Sequence, residues 1–252
     1  MAFNERLNRI IEGITVITLS YQRPDYFLRM VESLPDHPAI VEKIVIQNGT
    51  DQETVDIAME HGWTIITPGR NTSFSEGNNI AARGAIGSHL LLVNNDVIFT
   101  PDCIEALWKH RTIPLLGCKI TTMDGRLNHG GCGFRHNDFM PIHINTGSLD
   151  PDSAVTKYCP WVTFAAVLAR KDIWDMLGGL DEEYYYSFED CDYCCRLVEK
   201  FGQYPLFVSE AKILHNFQGT RDANSLDPKN AAIFYKKWVQ TKRLQDALGV
   251  LF

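Results

Sequence analysis

The chain has 252 residues, 45% of them hydrophobic, and a formal net charge of −7. This length is enough for one large α/β domain or two small ones, and the hydrophobic content is that of a folded protein. The negative charge argues against broad non-specific binding to nucleic acid or to an anionic membrane surface. No window approaches the roughly 20 uninterrupted apolar residues of a membrane span, and residues 1–12 lack the apolar core of a signal peptide. We therefore expect a soluble, cytoplasmic protein.

The first half of the chain alternates predicted strands and helices, separated by turn signals such as Asn48-Gly49. Strands are predicted at residues 14–19, 41–47, 63–67 and 90–96. Helices are predicted at residues 1–12, 24–34 and 51–61, after an N-cap at Ser75, and after Pro101. This rhythm indicates right-handed crossovers and a mostly parallel central sheet flanked by helices, the α/β class.

Residues 113–153 break the pattern, because glycines and polar residues cluster there and helical periodicity is lost. We expect short strands and a long loop over the sheet. Loops of this kind often shape the binding site of a substrate, here of the group-accepting substrate if the protein is a transferase. Further strands are predicted at residues 161–170, 204–208 and 211–215, and further helices at 172–177, at 189–201 and from Pro228 onward. The sequence contains no internal repeat and no linker, which favours a single domain.

The cysteines are predicted to be buried core residues. Their number, seven, is odd and their spacing is irregular, which argues against a disulfide framework. Cys191 and Cys194 form a C-x-x-C pair, followed by Cys195. A zinc site would need a second such pair or a nearby C-x-H arrangement, and neither is present, whereas a free cysteine is usually a small buried hydrophobe.

A polar cluster follows the most apolar predicted strand. Residues 90–93 run directly into Asn94, Asn95 and Asp96, and open α/β sheets bind ligands beyond the carboxyl ends of their strands. Asp96 offers the oxygen ligand that hard divalent cations prefer. His215 could add an imidazole, which tilts the choice from magnesium towards manganese.

A second acidic cluster, Glu189-Asp190, follows an aromatic run at the predicted start of a helix. A structural explanation is available, because the helix macrodipole favours acidic residues in the first turn. The functional interpretation is that one carboxylate is a general base for an acceptor hydroxyl. Neighbouring carboxylates, with Asp192 close by, repel each other, and this repulsion raises the pKa of one of them.

Four stretches, in order, resemble segments of the inverting glycosyltransferases of family 2, including rhamnosyltransferase-like members. Residues 15–24 resemble the opening strand and nucleotide-binding turn, and residues 71–79 resemble the N-x-G-F-x-x-G-N-N segment. Residues 94–96 fall where the family carries its D-x-D motif. Residues 188–193 match the E-D motif, and His215 falls where a later metal-ligating histidine is expected. The resemblance spans about residues 14–217.

This resemblance implies a GT-A fold and a metal-dependent, inverting hexosyl- or deoxyhexosyltransferase. It would move a sugar from a nucleoside diphosphate sugar to a hydroxyl of a saccharide or other acceptor. Asp96 and His215 would hold Mn2+ or Mg2+, Asp190 would be the base, and Glu189 would shape the acceptor site. The implied donor-binding residues are Leu19, Ser20, Tyr21, Arg23, Gln47, Asn48, Asn78, Asn94 and Asn95. Trp161 falls where the family often has an aromatic residue on the acceptor side, although a core tryptophan in a strand is an equal alternative.

The corresponding domain is a single GT-A unit over residues 1–252. Its nucleotide-binding half covers about residues 14–110, its acceptor-side half about residues 111–217, and its C-terminal helix about residues 228–247.

Two positions depart from the family pattern. The family commonly has V-D-N-G-S at the end of its second strand, where this chain has Gln47 in place of the aspartate. An amide can still hydrogen-bond to the edge of a pyrimidine base. The sequence therefore does not determine whether the nucleoside of the donor is uridine, thymidine or another. Asn94 replaces the first carboxylate of the D-x-D motif, which predicts weaker metal binding and greater reliance on the diphosphate.

Three alternatives remain at this point. A catalytically inactive nucleotide-sugar-binding or scaffolding protein of the same fold is favoured by Gln47 and Asn94 and opposed by Asp96 and Asp190. A glycosyltransferase acting on modified nucleic acid is suggested only by the basic residues of the C-terminal segment, which are typical of a solvated helix face. These are Lys229, Lys236, Lys237, Lys242 and Arg243. A nucleotidyltransferase is disfavoured because residues 20–24 contain no glycine to grip a triphosphate.

Overall fold

The computed structural model describes residues 10–149, 154–215 and 228–248. The strands are β1 (Ile11–Ser20), β2 (Ile40–Gln47), β3 (Thr64–Ile66), β4 (Gly87–Val93), β5 (Val97–Phe99), β6 (Leu115–Thr121), β7 (Leu127–His129), β8 (Cys132–Phe134), β9 (Pro141–His143), β10 (Lys157–Tyr158), β11 (Ala166–Arg170) and β12 (Leu206–His215). The helices are α1 (Pro24–Ser33), α2 (Gln52–Glu60), α3 (Phe74–Gly84), α4 (Cys103–Lys109), α5 (Lys171–Leu177), α6 (Glu189–Phe201), α7 (Pro228–Phe234), which continues as a π-helical turn (Tyr235–Val239), and α8 (Arg243–Leu248).

The central sheet has the strand order β10-β12-β6-β11-β4-β1-β2-β3, with β5 paired to β12 and β7 paired to β6. Neighbours from β4 to β3 are parallel, as are β6 and β12. The strand β11 runs antiparallel to both β4 and β6. Strands β8 and β9 form a separate antiparallel pair. The α/β architecture with a mostly parallel central sheet and flanking helices is therefore confirmed.

Helices cover both faces of this sheet, so its strands are buried on both sides, as parallel sheets require. Alternate residues of β4 show this directly: Leu90 and Leu92 pack in one core, and Leu91 and Val93 in the other. The first core includes side chains of α3, α5, α6 and the C-terminal helices, and the second includes those of α1, α2 and α4. None of the helices in the described parts of the chain is long and apolar enough to cross a bilayer.

One core strand lies where the sequence predicted a long loop over the sheet. Every residue of β6 is buried, and the strand lies between β11 and β12 in the centre of the sheet. Its apolar pattern is interrupted by Gly117 and Lys119, which made it resemble a loop. The glycine is needed for packing, because a Cβ at position 117 would lie 2.5 Å from the Cβ of Val162.

We expect Gly117→Ala to destabilise the fold by about 1–3 kcal/mol, because the added methyl overpacks the contact with Val162. The matched control is Gly84→Ala, since a Cβ there meets nothing within 4 Å and the residue ends helix α3. That control is expected to raise stability by about 0.5–1 kcal/mol. Denaturant unfolding of both variants measures the difference, and equal midpoints would contradict the packing argument.

Several element boundaries differ from the predicted ones. The strand predicted to end at Asp96 ends at Val93, and the chain then turns into β5. The amide of Asn94 still donates to the carbonyl of Ala165 (2.9 Å). The strands predicted at 204–208 and 211–215 form the single strand β12, with a register shift between Val208 and Lys212. The strand predicted at 161–170 begins only at Ala166.

The helix boundaries also need corrections. The N-cap of α3 is Ser73, whose side chain accepts from the Glu76 amide (3.0 Å), while Ser75 lies inside the first turn. The C-terminal helix predicted at about 228–247 is interrupted between the π-helical turn and α8, where Lys242 has φ 60°. For the helix predicted at residues 1–12, residues 1–9 lie outside the described part of the chain, and β1 begins at Ile11.

Candidate active site

A cavity of about 530 Å³ lies at the carboxyl ends of β1, β2 and β4. It is bordered on its other sides by the segment before β11, the start of α6 and the end of β12. The predicted site residues that line it are Leu19, Tyr21, Asn48, Asn94, Asn95, Asp96, Glu189, Asp190 and His215. Residues from five separate stretches of the sequence therefore meet in one place, at the edge of the sheet where α/β folds bind ligands.

Asp96 and His215 are in direct contact within this cavity. The short strand β5 pairs with β12 in antiparallel register, so that Val97 lies opposite His215. This pairing places the residue before Val97 beside the histidine, and the Asp96 Oδ1 to His215 Nε2 distance is 2.9 Å. Both side chains are largely buried, with exposures of 15% and 10%. Strand pairing, which the sequence did not indicate, thus joins two residues 119 positions apart.

This pair fits two neighbouring ligands of a divalent cation. Ligands at right angles around a cation with bonds of about 2.1 Å are about 3.0 Å apart, close to the observed separation of the two atoms. A carboxylate oxygen and an imidazole nitrogen form a mixed set that manganese accepts readily. A single protein carboxylate leaves coordination positions for phosphate oxygens and water.

The acidic pair lies at the first turn of α6, directly after a strained segment of backbone. Ser187 and Phe188 both have positive φ, 71° and 68°, in the left-handed region that non-glycine residues rarely adopt. Such conformations cost about 1–3 kcal/mol each and concentrate at functional sites. They turn the chain so that Glu189 and Asp190 start the helix facing the cavity.

The pKa of Asp190 is raised above its ordinary value, chiefly because burial disfavours the charged form. Hydrogen bonds from the amides of Cys191, at 2.8 Å to Oδ1, and of Phe164 act in the opposite direction. A carboxylate with a raised pKa is a stronger base, which suits proton removal from a hydroxyl.

Asp192, the third acidic residue of the motif, has a structural role. Its carboxylate is fully buried and accepts from the Arg196 Nε (2.7 Å) and the Trp238 Nε1 (2.8 Å). Lys237 Nζ lies 2.7 Å from the same carboxylate and 2.6 Å from that of Asp181. The cluster fixes the C-terminal helices against α6. It also places one of the basic C-terminal residues in an internal ion pair, which lessens the cationic surface available to nucleic acid.

Buried asparagines hold the loop that precedes the acidic pair. Asn79 Nδ2 donates to the Leu180 carbonyl (2.8 Å) and to Glu182 (2.9 Å), and its Oδ1 accepts from the Leu180 amide (2.9 Å). Asn230, on α7, donates to the carbonyls of Tyr186 and Ser187. The strained turn is therefore held from two sides.

We expect Asn79→Ala to lower the free energy of unfolding by about 1–3 kcal/mol, because it leaves buried polar groups of the loop without partners. The adjacent Asn78→Ala is the matched control, since Asn78 is equally buried but donates only to the Phe74 carbonyl of its own helix (2.9 Å). Thermal unfolding of the two variants gives the comparison, and a larger loss in Asn78→Ala would refute the assignment.

Five of the predicted site residues lie outside the cavity lining. Ser20 is within 3.3 Å of the Thr54 hydroxyl, and Arg23 pairs with Asp25 at 2.9 Å. Gln47 uses both ends of its amide inside the protein, donating to the Asp51 carbonyl (2.8 Å) and accepting from Thr67 (3.2 Å).

Asn78, as noted, bonds to its own helix. Trp161 is 3% exposed, and its Nε1 donates to the Gly133 carbonyl (2.8 Å) while its ring packs 5.2 Å from that of His143. It therefore lies behind a cavity residue rather than in the lining.

Other lining residues were not singled out from the sequence. They are Asn71, Phe74, Val93, Ile120, Asn128, His143, Thr163, Phe164, Ala165, Tyr186 and Ser187. Asn71 and Phe74 belong to the segment that resembles the family pattern, so the signal for them was present. Residues 163–165 carried no sequence signal of a binding site, because they were predicted as part of a strand.

Comparison with known proteins agrees with these observations. A sequence model described as glycosyl transferase family 2 matches residues 15–112. The O-antigen biosynthesis protein RfbC of Myxococcus xanthus is 25% identical over 252 residues, an alignment covering 91% of this chain and 19% of that protein. The chain thus spans about a fifth of the length of this relative.

Two solved structures share the fold. GalNAc-T7 in complex with UDP, GalNAc and Mn2+ superposes with a TM-score of 0.71 at 14% identity, covering 91% of this chain and 49% of that one. The mannosyltransferase PcManGT from Pyrobaculum calidifontis, in complex with GDP-Man and Mn2+, gives a TM-score of 0.61 at 14% identity, covering 98% and 78%. These comparisons show that residues 15–112 are similar to family 2 glycosyltransferases and that the chain shares the GT-A fold of the two solved glycosyltransferase structures.

Proposed function

We propose that this chain transfers a sugar from a nucleoside diphosphate sugar to an acceptor hydroxyl, with inversion at the anomeric carbon. The observation that carries the proposal is that a cation-type pair, Asp96 and His215, and a carboxylate of raised pKa, Asp190, line one cavity. The two structural relatives, whose complexes contain UDP with GalNAc and GDP-Man, support a donor of this class.

On the donor side, Asp96 and His215 would hold a divalent cation, with Mn2+ favoured over Mg2+ by the imidazole and by its presence in both relatives. When bound, this cation supplies Lewis-acid stabilisation of the departing diphosphate. Leu19, Tyr21 and Asn48 lie at the ends of the first two strands, where the nucleoside would bind. The Asn48 side chain is held by Thr72, whose amide (3.2 Å) and hydroxyl (2.7 Å) both donate to Oδ1. Gln47 would reach a base only by exchanging its internal hydrogen bonds.

On the acceptor side, the Asp190 carboxylate would take the proton of the attacking hydroxyl. The hydroxyl oxygen forms the new bond to the anomeric carbon as the bond to the diphosphate oxygen breaks. A single in-line displacement of this kind inverts the configuration and leaves the proton on Asp190. Glu189, 8% exposed at the same helix start, would shape the place where the acceptor hydroxyl lies.

A saccharide acceptor is the leading expectation for this site. The support is the similarity to a protein named for O-antigen biosynthesis, together with an open cavity whose far side is formed by polar and aromatic residues such as Asn128, Tyr186 and Ser187. The chain covers only part of that relative, so the sugar and the acceptor are proposals for this domain alone.

A donor screen tests the proposal. Thermal unfolding is measured with UDP-, dTDP-, GDP- and CDP-sugars, each with and without Mn2+, because a ligand that binds only the folded state must stabilise it. The expected result is a Mn2+-dependent rise in Tm with one nucleotide, followed by release of its diphosphate and formation of the inverted anomer with an oligosaccharide acceptor. Donor binding without any turnover would support a scaffolding protein of the same fold. No shift with any donor would overturn the proposal.

A further inference from the structure

Three side chains that can ligate a metal converge beside the cavity, in the segment that the sequence predicted as a long loop. The distance between His129 Nδ1 and His143 Nδ1 is 3.0 Å. The Cys132 Sγ lies 3.3 Å from the first nitrogen and 3.6 Å from the second. Among the described residues this is the one group of three or more such side chains whose ligand atoms all lie within 4.8 Å of one another.

We propose that His129, Cys132 and His143 form a binding site for a zinc-type divalent metal, distinct from the pair Asp96 and His215. In tetrahedral zinc sites, bonds of about 2.0–2.1 Å to nitrogen and 2.3 Å to sulfur place two nitrogens about 3.3 Å apart and nitrogen and sulfur about 3.6 Å apart. The three observed separations need to change by no more than about 0.3 Å to match this geometry.

The backbone places these residues without help from a metal. His129 ends β7 and pairs with Ile120 of the central sheet. Cys132 and His143 lie directly opposite each other in the β8–β9 pair. Between His129 and Cys132, Gly131, with φ 100°, turns the chain, and its carbonyl accepts from the Ile144 amide (2.9 Å). A ligand set carried by strands and a tight turn is preorganised, as a metal site requires.

The surroundings suit a metal with one open position. His129 and Cys132 are 0% and 1% exposed, so water competes poorly for them. His143 is exposed and lines the cavity, which gives a metal ion a path to enter. Three protein ligands leave the fourth tetrahedral position to a water molecule, and a nitrogen and thiolate set selects zinc over magnesium or manganese.

Occupancy would tie the β8–β9 pair to the central sheet. His143 is the cavity residue against which Trp161 packs, so the metal would fix the part of the cavity where the acceptor is proposed to bind. The zinc site itself does not depend on the proposed function, because its ligands and its test are independent of sugar transfer.

Metal content and cobalt spectroscopy on the full chain test the site. After chelator treatment and desalting, the protein is expected to take up about one Zn2+ per chain, and Co2+ to give tetrahedral d–d bands with a thiolate charge-transfer band. Cys132→Ser should abolish the charge-transfer band. His143→Ala, at an exposed strand end, should weaken zinc binding by tenfold or more without loss of the fold.

Two matched controls fix the interpretation. Cys118→Ala, which removes another buried thiol, and Asp96→Asn, which removes the only carboxylate of the proposed donor-side cation pair, should both retain the cobalt spectrum and the bound zinc. Absence of zinc uptake by the wild-type chain would overturn the proposal. So would a charge-transfer band that persists in Cys132→Ser, or zinc binding unchanged in His143→Ala.

Discussion

Replacing Asp190 with asparagine is expected to lower turnover by about 10²- to 10⁴-fold, because an amide cannot accept the proton of the acceptor hydroxyl. Donor binding should persist, since the amide keeps the shape of the side chain at the start of α6. Initial rates and Mn2+-dependent thermal shifts with the donor separate these two effects. Full activity of the variant would remove Asp190 as the base.

The pH dependence follows from the raised pKa of Asp190. The base form is lost as the pH falls through that raised value, so the acid limb of the rate profile should lie above the ordinary aspartate pKa, and Asp190→Asn should abolish it. The folded state holds this proton more tightly than the unfolded state. Stability contributed by the protonated form is therefore lost as the pH rises from the unfolded pKa through the folded one.

Asp190→Asn is consequently expected to be at least as stable as the wild type at pH 7, since it removes a desolvated charge. Asp175→Asn is the matched control, because Asp175 is an exposed carboxylate paired with Lys171 outside the cavity lining. That control should keep full turnover. A large loss of stability in Asp190→Asn would show that the residue supports the fold rather than the reaction.

Asp96→Asn and His215→Ala are expected to lower turnover by at least about 100-fold, because the first removes the negative charge of one proposed cation ligand and the second removes the other ligand. Each should also abolish the Mn2+-dependent part of the thermal shift with the donor, a readout that does not depend on catalysis. In the wild type, excess chelator should stop turnover and added Mn2+ should restore it. Unchanged rates in excess chelator would exclude the cation from the reaction.

Asn94→Asp provides the converse test of the same site. The substitution adds the carboxylate that the family motif carries at this position. The proposed cation site would then have two carboxylates, at positions 94 and 96, in place of one. The Mn2+ concentration that gives half of the maximal rate should fall. An unchanged concentration would indicate that the side chain at position 94, although it lines the cavity, does not contribute to the cation site.

The elements that the sequence predicted well are those with strong local signals. Helix α6 was predicted with its observed bounds, because an acidic first turn precedes core-spaced apolar residues and Gly202, with φ 65°, ends it. Strand β2 and helix α2 were also predicted to within one residue of their observed bounds. The strand β6 was missed because Gly117 and Lys119 interrupt its apolar pattern, and the need for Gly117 comes from Val162, which is distant in sequence.

The residues predicted for the candidate site also fall into two groups, those that line the cavity and those that do not. Motif order placed Asp96, Asp190 and His215 in one cavity-lining set, as the structure also does. Gln47 and Trp161, selected by the same resemblance, lie outside the lining, and their side-chain N–H groups donate to the carbonyls of Asp51 and Gly133.

The sequence by itself predicted the α/β class, the resemblance to family 2 glycosyltransferases and the residues proposed to do the chemistry, because local periodicity and motif order are properties of the chain alone. Only the tertiary structure decided which of these residues meet. The β5–β12 register joins Asp96 to His215, and the β8–β9 register joins Cys132 to His143. Both contacts arise from strand pairing over long or irregular connections, and pairing of this kind depends on the whole sheet and leaves no local signal in the sequence.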